Sequence, residues 1–209
     1  MSSIISVNVG VQKAVEYRGH AVSTGIYKSP VEGRVRAEGV NLVGDDQADR
    51  RVHGGIDKAV YAYASEDYQW WSDQLGHSLA PGTFGDNLTT EGIEVGAAVV
   101  GQQWRVGDVV LEVSEPRVPC YKLGIRMNDP EFPTLFSAAD RPGTYLRIVE
   151  EGSLAAGDRI EIGPAPEHGL TVADIARIYH RDHQEAARLL EVPELSDRWR
   201  RWAQRFTKT

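Results

Sequence analysis

Cysteine is almost absent: one residue in 209. That excludes an intramolecular disulfide and any cluster of iron and sulfur built on this chain's own cysteines. Long apolar runs are missing too, so no segment is expected to cross a bilayer. The first ten residues lack a basic region followed by an apolar stretch, so no secretory signal is read and the expected compartment is the cytoplasm. The sequon Asn87-Leu88-Thr89 is then a chance match. Positive charge is in deficit, with 23 Lys and Arg against 30 Asp and Glu, a net charge of −7. Such a balance argues against broad capture of nucleic acid or anionic membrane. No G-x-G-x-x-G follows a strand, and no P-loop, H-E-x-x-H or G-x-S-x-G occurs.

What is present gathers around that one sulfur. Cys120 sits in Pro116-Arg117-Val118-Pro119-Cys120-Tyr121-Lys122-Leu123-Gly124-Ile125-Arg126, after an expected strand over 109–113 and at the expected start of a short helix. Three cations and a helix N-terminus favour a thiolate, which attacks electrophiles or binds soft metals. A small buried hydrophobe is the competing reading. If a redox metal sits there, the chain shows no motif for flavin or nicotinamide, and electrons must come from another protein. A second unusual loop, residues 47–58, carries Asp49, Arg50, Arg51, His53, Gly54, Gly55 and Lys58 beside an apolar strand over 59–64. It reads either as a solvated glycine turn or as an anion site with accessible backbone N–H groups.

Length suits one ordinary domain with a small appendage. Residues 4–11 alternate as a strand with Ile5, Val7, Val9 and Val11 on one face. Short strands are expected over 24–27, 31–35, 39–43, 109–113, 145–150 and 159–162, with 81–90 rich in turns. Helices are expected over 65–75, capped by Ser65, and within 130–139. Many short strands separated by Gly/Asp turns point to an antiparallel barrel. Beyond Pro164 and Pro166 the period turns helical, with a capping pattern at Thr171 to Asp174, a second helix over 182–190 and a third from 196–197 carrying Trp199, Trp202 and Phe206 on one face. His180 and His183 are read as surface residues. The domains are expected at 1–165 and 166–209.

Taken together, four ordered segments resemble the MOSC family of molybdenum-cofactor proteins, in its YiiM-like branch. They are residues 44–49, Val52-His53-Gly54-Gly55, Gly85-Asp86-Asn87-Leu88-Thr89-Thr90-Glu91-Gly92, and the Cys120 segment; Asp86 stands where many relatives have glutamate. The resemblance implies a mainly β fold with helices: a distorted β-barrel, related to the small barrel of pyruvate kinase, plus a C-terminal three-helix appendage. It implies a molybdenum cofactor (molybdopterin) with Cys120 as the protein ligand to the metal. Lys28, Arg51, His53, Gly54, Gly55, Asn87 and Lys122 would then hold the cofactor, and His53 or Asp49 would relay a proton. The activity implied is reduction of N-hydroxylated small molecules such as 6-N-hydroxylaminopurine, with a separate reductase as electron donor and the oligomeric state left open. The alternatives are a carrier or sulfur-transfer protein without turnover, and a metal-free cysteine hydrolase or thiol sensor.

Overall fold

Burial along the first strand, β1 (Ser3–Val9), departs from simple alternation. A bulge between Ile4 and Ser6 shifts its register against β8 (Leu88–Glu91). A slip of one residue exchanges the faces of a strand. Ile4 therefore turns inward and Ile5 stands 40% exposed, while the strand ends at Val9 and leaves Val11 outside. The expected common face of Ile5, Val7, Val9 and Val11 does not form. The bulge also buries Ser6 and Asn8, the first polar residues of the site described below.

The computed structural model describes residues 1–48 and 54–207. After β1, the hairpin β2 (Lys13–Tyr17) and β3 (His20–Thr24) forms its own two-stranded sheet. The expected strand over 24–27 is absent. Gly10 and Gly25 explain why: a Cβ would lie 2.3 Å from the Tyr27 carbonyl oxygen at one and 2.2 Å from that of Asp46 at the other, so this segment threads between neighbouring backbones instead of pairing as a strand. Next come β4 (Ser29–Pro30), β5 (Val35–Glu38) and β6 (Asn41–Leu42), shorter than the expected strands. Later strands are β7 (Val60–Ala64), β9 (Gln103–Val106), β10 (Val109–Pro116), β11 (Thr144–Glu150), β12 (Gly152–Leu154) and β13 (Ile160–Ile162).

Eight of these form one sheet in the order β13-β9-β10-β11-β7-β8-β1-β4. All pairs are antiparallel except β7 with β8, which run parallel because α1 (Ser65–Leu75) and the turns after it carry the chain back before β8. The two ends approach each other: Ile4 N–H donates to the Asp158 oxygen at 2.9 Å, Gly157 N–H to Ile4 at 2.7 Å and Ile160 N–H to Ser2 at 2.9 Å. A lone bridge, Ser3 to Arg159, completes the contact. The sheet is thus a distorted barrel joined at its seam by a few bonds and not by a full strand pair.

α1 has the bounds read from the sequence, but its cap is Ala64, not Ser65, and it makes no side-chain capping bond. Tyr68 and Trp71 of α1 pack with Tyr63, Phe84, Phe132 and Phe136 in an aromatic cluster. Phe132 and Phe136 come from α3 (Phe132–Ala138), which follows α2 (Tyr121–Met127). The tail opens with α4 (Val172–His180), whose capping box joins Thr171 and Asp174 as expected. Its second helix, His183–Glu191, is wound as a 3-10 helix: Arg177 ties Asp182 and Glu185 to α4 across the turn. The chain finishes in α5 (Asp197–Thr207). Ile175, Ile178, Leu189 and Trp199 of the tail share one apolar cluster with Trp104, Leu111 and Leu146 of the sheet.

Because that cluster is continuous, Trp199→Ala should cost about 3–5 kcal/mol through the cavity it leaves. Urea unfolding followed by fluorescence and circular dichroism should show one transition at lower denaturant. An unmoved main transition with a separate early loss of helix would contradict this.

Candidate functional site

A cleft opens between residues 24–28, the 46–48 loop, the turn before β8 and the loop joining β10 to α2. It holds about 600 Å³ of empty space, open mouth included, the size range of small-molecule sites. Cys120 lines it, half-buried, as the residue preceding α2. Its backbone is extended, and its carbonyl accepts from Leu123 N–H at 2.9 Å. The turn into α2 thereby holds the sulfur-bearing residue at the wall.

Beneath the cleft lies a buried polar frame. The Asp45 carboxylate accepts from Lys28 Nζ on both oxygens, from Gly10 N–H at 2.9 Å and from Asn87 Nδ2 at 2.9 Å. Asn87 also donates to the Asn8 carbonyl at 3.2 Å and accepts from Tyr61 N–H at 3.1 Å. Asp86, fully buried next door, accepts from Tyr68 Oη at 2.5 Å, Thr89 Oγ1 at 2.7 Å and Asn8 Nδ2 at 3.3 Å. Burial pushes the Asp86 carboxyl above the ordinary carboxylate range, against the pull of these donors. Burial likewise holds the Lys28 ammonium below its ordinary value, partly offset by Asp45.

Four cations line the cleft: Lys28, Lys58, Arg117 and Lys122. Lys58 faces Glu115 Oε1 at 3.5 Å, and burial lowers its pKa. Arg117 is 7% exposed and has no carboxylate partner among the described residues. Its guanidinium donates to the Phe84 carbonyl and lies 5.1 Å from the Tyr61 ring centroid and 5.5 Å from that of Phe136. Such aromatic faces stabilise a cation without neutralising it. Lys122 carries no ion-pair partner among the described residues. A buried charge without a counter-ion is costly, so the cleft favours an anionic occupant.

Of the residues singled out from sequence, Lys28, Asn87, Cys120 and Lys122 share this one lining. Lys28 has one N–H left after Asp45, and Asn87 has one free lone pair on Oδ1; both face a ligand with little spare capacity. Gly54 and Gly55 lie outside the lining, Gly55 at φ 93° entering the 3-10 turn Ile56–Lys58. Asp49, Arg51 and His53 lie outside the described residues. His180 and His183 are in the tail and line no part of the cleft; His183 is exposed as read from the sequence, but His180 is half-buried. Lys58, the last residue of the 47–58 loop read as a possible anion site, does line the cleft, whereas sequence reasoning gave no role to Asp45, Tyr61 or Tyr145. Arg117 was noted for its charge, but the two aromatic rings around it, Tyr61 and Phe136, come from distant segments and left no local signal.

Known proteins place the cleft in context. The MOSC domain matches residues 49–161, more than half of the chain, and the YiiM-like 3-alpha helix domain matches residues 170–205. The chain belongs to the MOSC family. It is 35% identical to the uncharacterized protein YflK of Bacillus subtilis strain 168 over 95% of this chain and 91% of that one. To protein YiiM of Escherichia coli K12 it is 32% identical, over 86% and 83% of the two chains. The crystal structure of YiiM from Geobacillus stearothermophilus superposes along its whole length, with a TM-score of 0.82 at 28% identity. A protein named Reductase from Gibberella moniliformis is 29% identical over 85% of this chain, which spans only 32% of that protein. This MOSC chain therefore shares the YiiM architecture from its first strand to its last helix.

The frame makes a prediction about pH. Lys28 titrates below its ordinary value of 10.5 when folded, so between the lowered value and 10.5 the unfolded chain binds more protons and stability rises with pH. Asp45→Ala removes the carboxylate that offsets burial and should cost about 3–5 kcal/mol near neutrality. Part of that loss should return on the alkaline side as Lys28 sheds its proton. Urea titrations at about pH 7 and about pH 9.5 test this sign; a deficit that deepens with pH contradicts it.

Proposed function

We propose that this MOSC protein is a molybdenum-cofactor-dependent reductase of N-hydroxylated compounds, 6-N-hydroxylaminopurine among them. The observation that carries the reading is the pairing of the chain's one sulfur with a cation-lined cleft whose buried guanidinium has no counter-charge among the described residues. These residues suit a pterin chelate that bears a phosphate and a soft metal. Buried Gln47 Oε1, in the same lining, lacks a hydrogen-bond partner among the described residues and can accept from a pterin N–H.

Cys120 would supply the protein thiolate to the metal. Arg117 and Lys122 would meet the phosphate, while Lys28 and Asn87, locked by Asp45, would shape the floor under the pterin edge. Arg51, His53, Gly54 and Gly55 would also hold the cofactor, with His53 delivering the proton. When bound, the cofactor supplies the two-electron chemistry that a polypeptide lacks. The chain's own work is to hold the substrate's N–OH group in a cleft from which the rings of buried Tyr61 and half-buried Tyr145 exclude water. Desolvation strengthens every charge interaction made there. The name Reductase borne by the Gibberella relative supports a catalytic reading over a carrier.

Protein from a cofactor-competent host should contain molybdenum, and Cys120→Ser should lower its content about tenfold or more while leaving the unfolding midpoint nearly unchanged. Wild type should reduce 6-N-hydroxylaminopurine with an artificial electron donor. Metal-free wild type would sink the reading; bound molybdenum without turnover would favour the carrier. A Cys120→Ser chain that unfolds would mark the sulfur as a packing residue.

A further inference from the structure

We propose that the outward face of α5 is the docking surface for a small acidic electron-transfer protein; this rests on the reductase reading above. Arg198, Arg201 and Arg205 are spaced three and four apart and so share one helical face. All three are exposed. Arg201 and Arg205 have no ion-pair partner among the described residues, in a chain whose net charge is −7. Beside them runs an aromatic strip: Phe206, 46% exposed, lies 4.8 Å from the Trp202 ring and 4.7 Å from that of His183. Arginine and aromatic side chains together are enriched at protein interfaces.

The face also lies close to the cleft. Arg198 Nη1 stands 3.6 Å from Glu115 Oε1, and the same oxygen is 3.5 Å from Lys58 Nζ, which lines the cleft. A carrier seated on α5 is thus separated from the cleft wall by one ion-pair relay. Reduction of each R–NHOH takes up two electrons and two protons. The N–O bond breaks, one N–H and one O–H bond form, and R–NH2 and water leave. The docked carrier is oxidised by those two electrons, one in each of two encounters for a one-electron carrier. An acidic carrier matches a basic face, and such pairing steers encounter and gives it a salt dependence.

The test titrates a flavodoxin into the full-length protein by calorimetry. Binding should weaken about tenfold or more between about 50 mM and about 500 mM salt. Arg201→Glu with Arg205→Glu should weaken it about tenfold at low salt, whereas Arg159→Glu on the far seam should not. Unfolding midpoints of both variants check that the fold is intact. Equal binding by the double variant and wild type overturns the proposal, as does a wild type that binds no flavodoxin. Loss of single-stranded oligonucleotide binding, with flavodoxin binding unchanged, overturns it in favour of nucleic acid. If wild type binds flavodoxin as expected yet fails to reduce substrate with dithionite, the reductase reading falls while the surface stands.

Discussion

One carboxylate holds the cleft together. Asp45 binds the end of β1 through Gly10, the 25–28 segment through Lys28 and the turn before β8 through Asn87. These partners lie 35, 17 and 42 residues away along the chain. None of the three segments is regular secondary structure at the point of contact, so no backbone ladder fixes them. The cost of leaving a buried ammonium or carboxylate unpaired does that instead. Close backbone approach at Gly10 and Gly25 permits the arrangement, since any side chain there would drive the strands of loop apart.

On this frame the site keeps a charge that none of the described residues neutralises. Arg117 is as deeply buried as Lys28, yet it is given rings and a carbonyl where Lys28 is given a carboxylate. The aromatic cluster of Tyr63, Phe84, Phe132 and Phe136 behind it contributes packing that offsets the desolvation of the guanidinium. A site built only for stability would have paired this cation. Leaving it for a ligand makes stability in the empty state the cost of affinity in the filled one.

The sequence disclosed the parts of this design that are local. A lone cysteine between Pro119 and Lys122 stands out without any fold, the capping box at Thr171 follows from two residues, and the bounds of α1 follow from periodicity. What is non-local stayed hidden. The bulge in β1 is set by pairing with β8, some 80 residues later, and it reverses the faces that alternation assigns. The parallel pairing of β7 with β8 within an otherwise antiparallel sheet has the same origin. Asp45 resembled any turn aspartate, because its partners are unrelated in sequence. The family resemblance reached further than these local signals, placing the chain in the MOSC family before any coordinates.

The tail is then more than an addition to the barrel. Its helices bury Ile175, Leu189 and Trp199 in the apolar core that also holds Leu111 of β10. β10 runs on to Glu115, and Arg117 and Cys120 follow it directly. Glu115 is 1% exposed, and its two oxygens face Lys58 at the cleft and Ser196 and Arg198 at the tail. A rigid strand packed on one side by the tail and ending in the site on the other transmits position, because close-packed interiors have few soft modes. Loosening the tail should therefore reach Cys120 through β10, whatever the tail binds on its outer face.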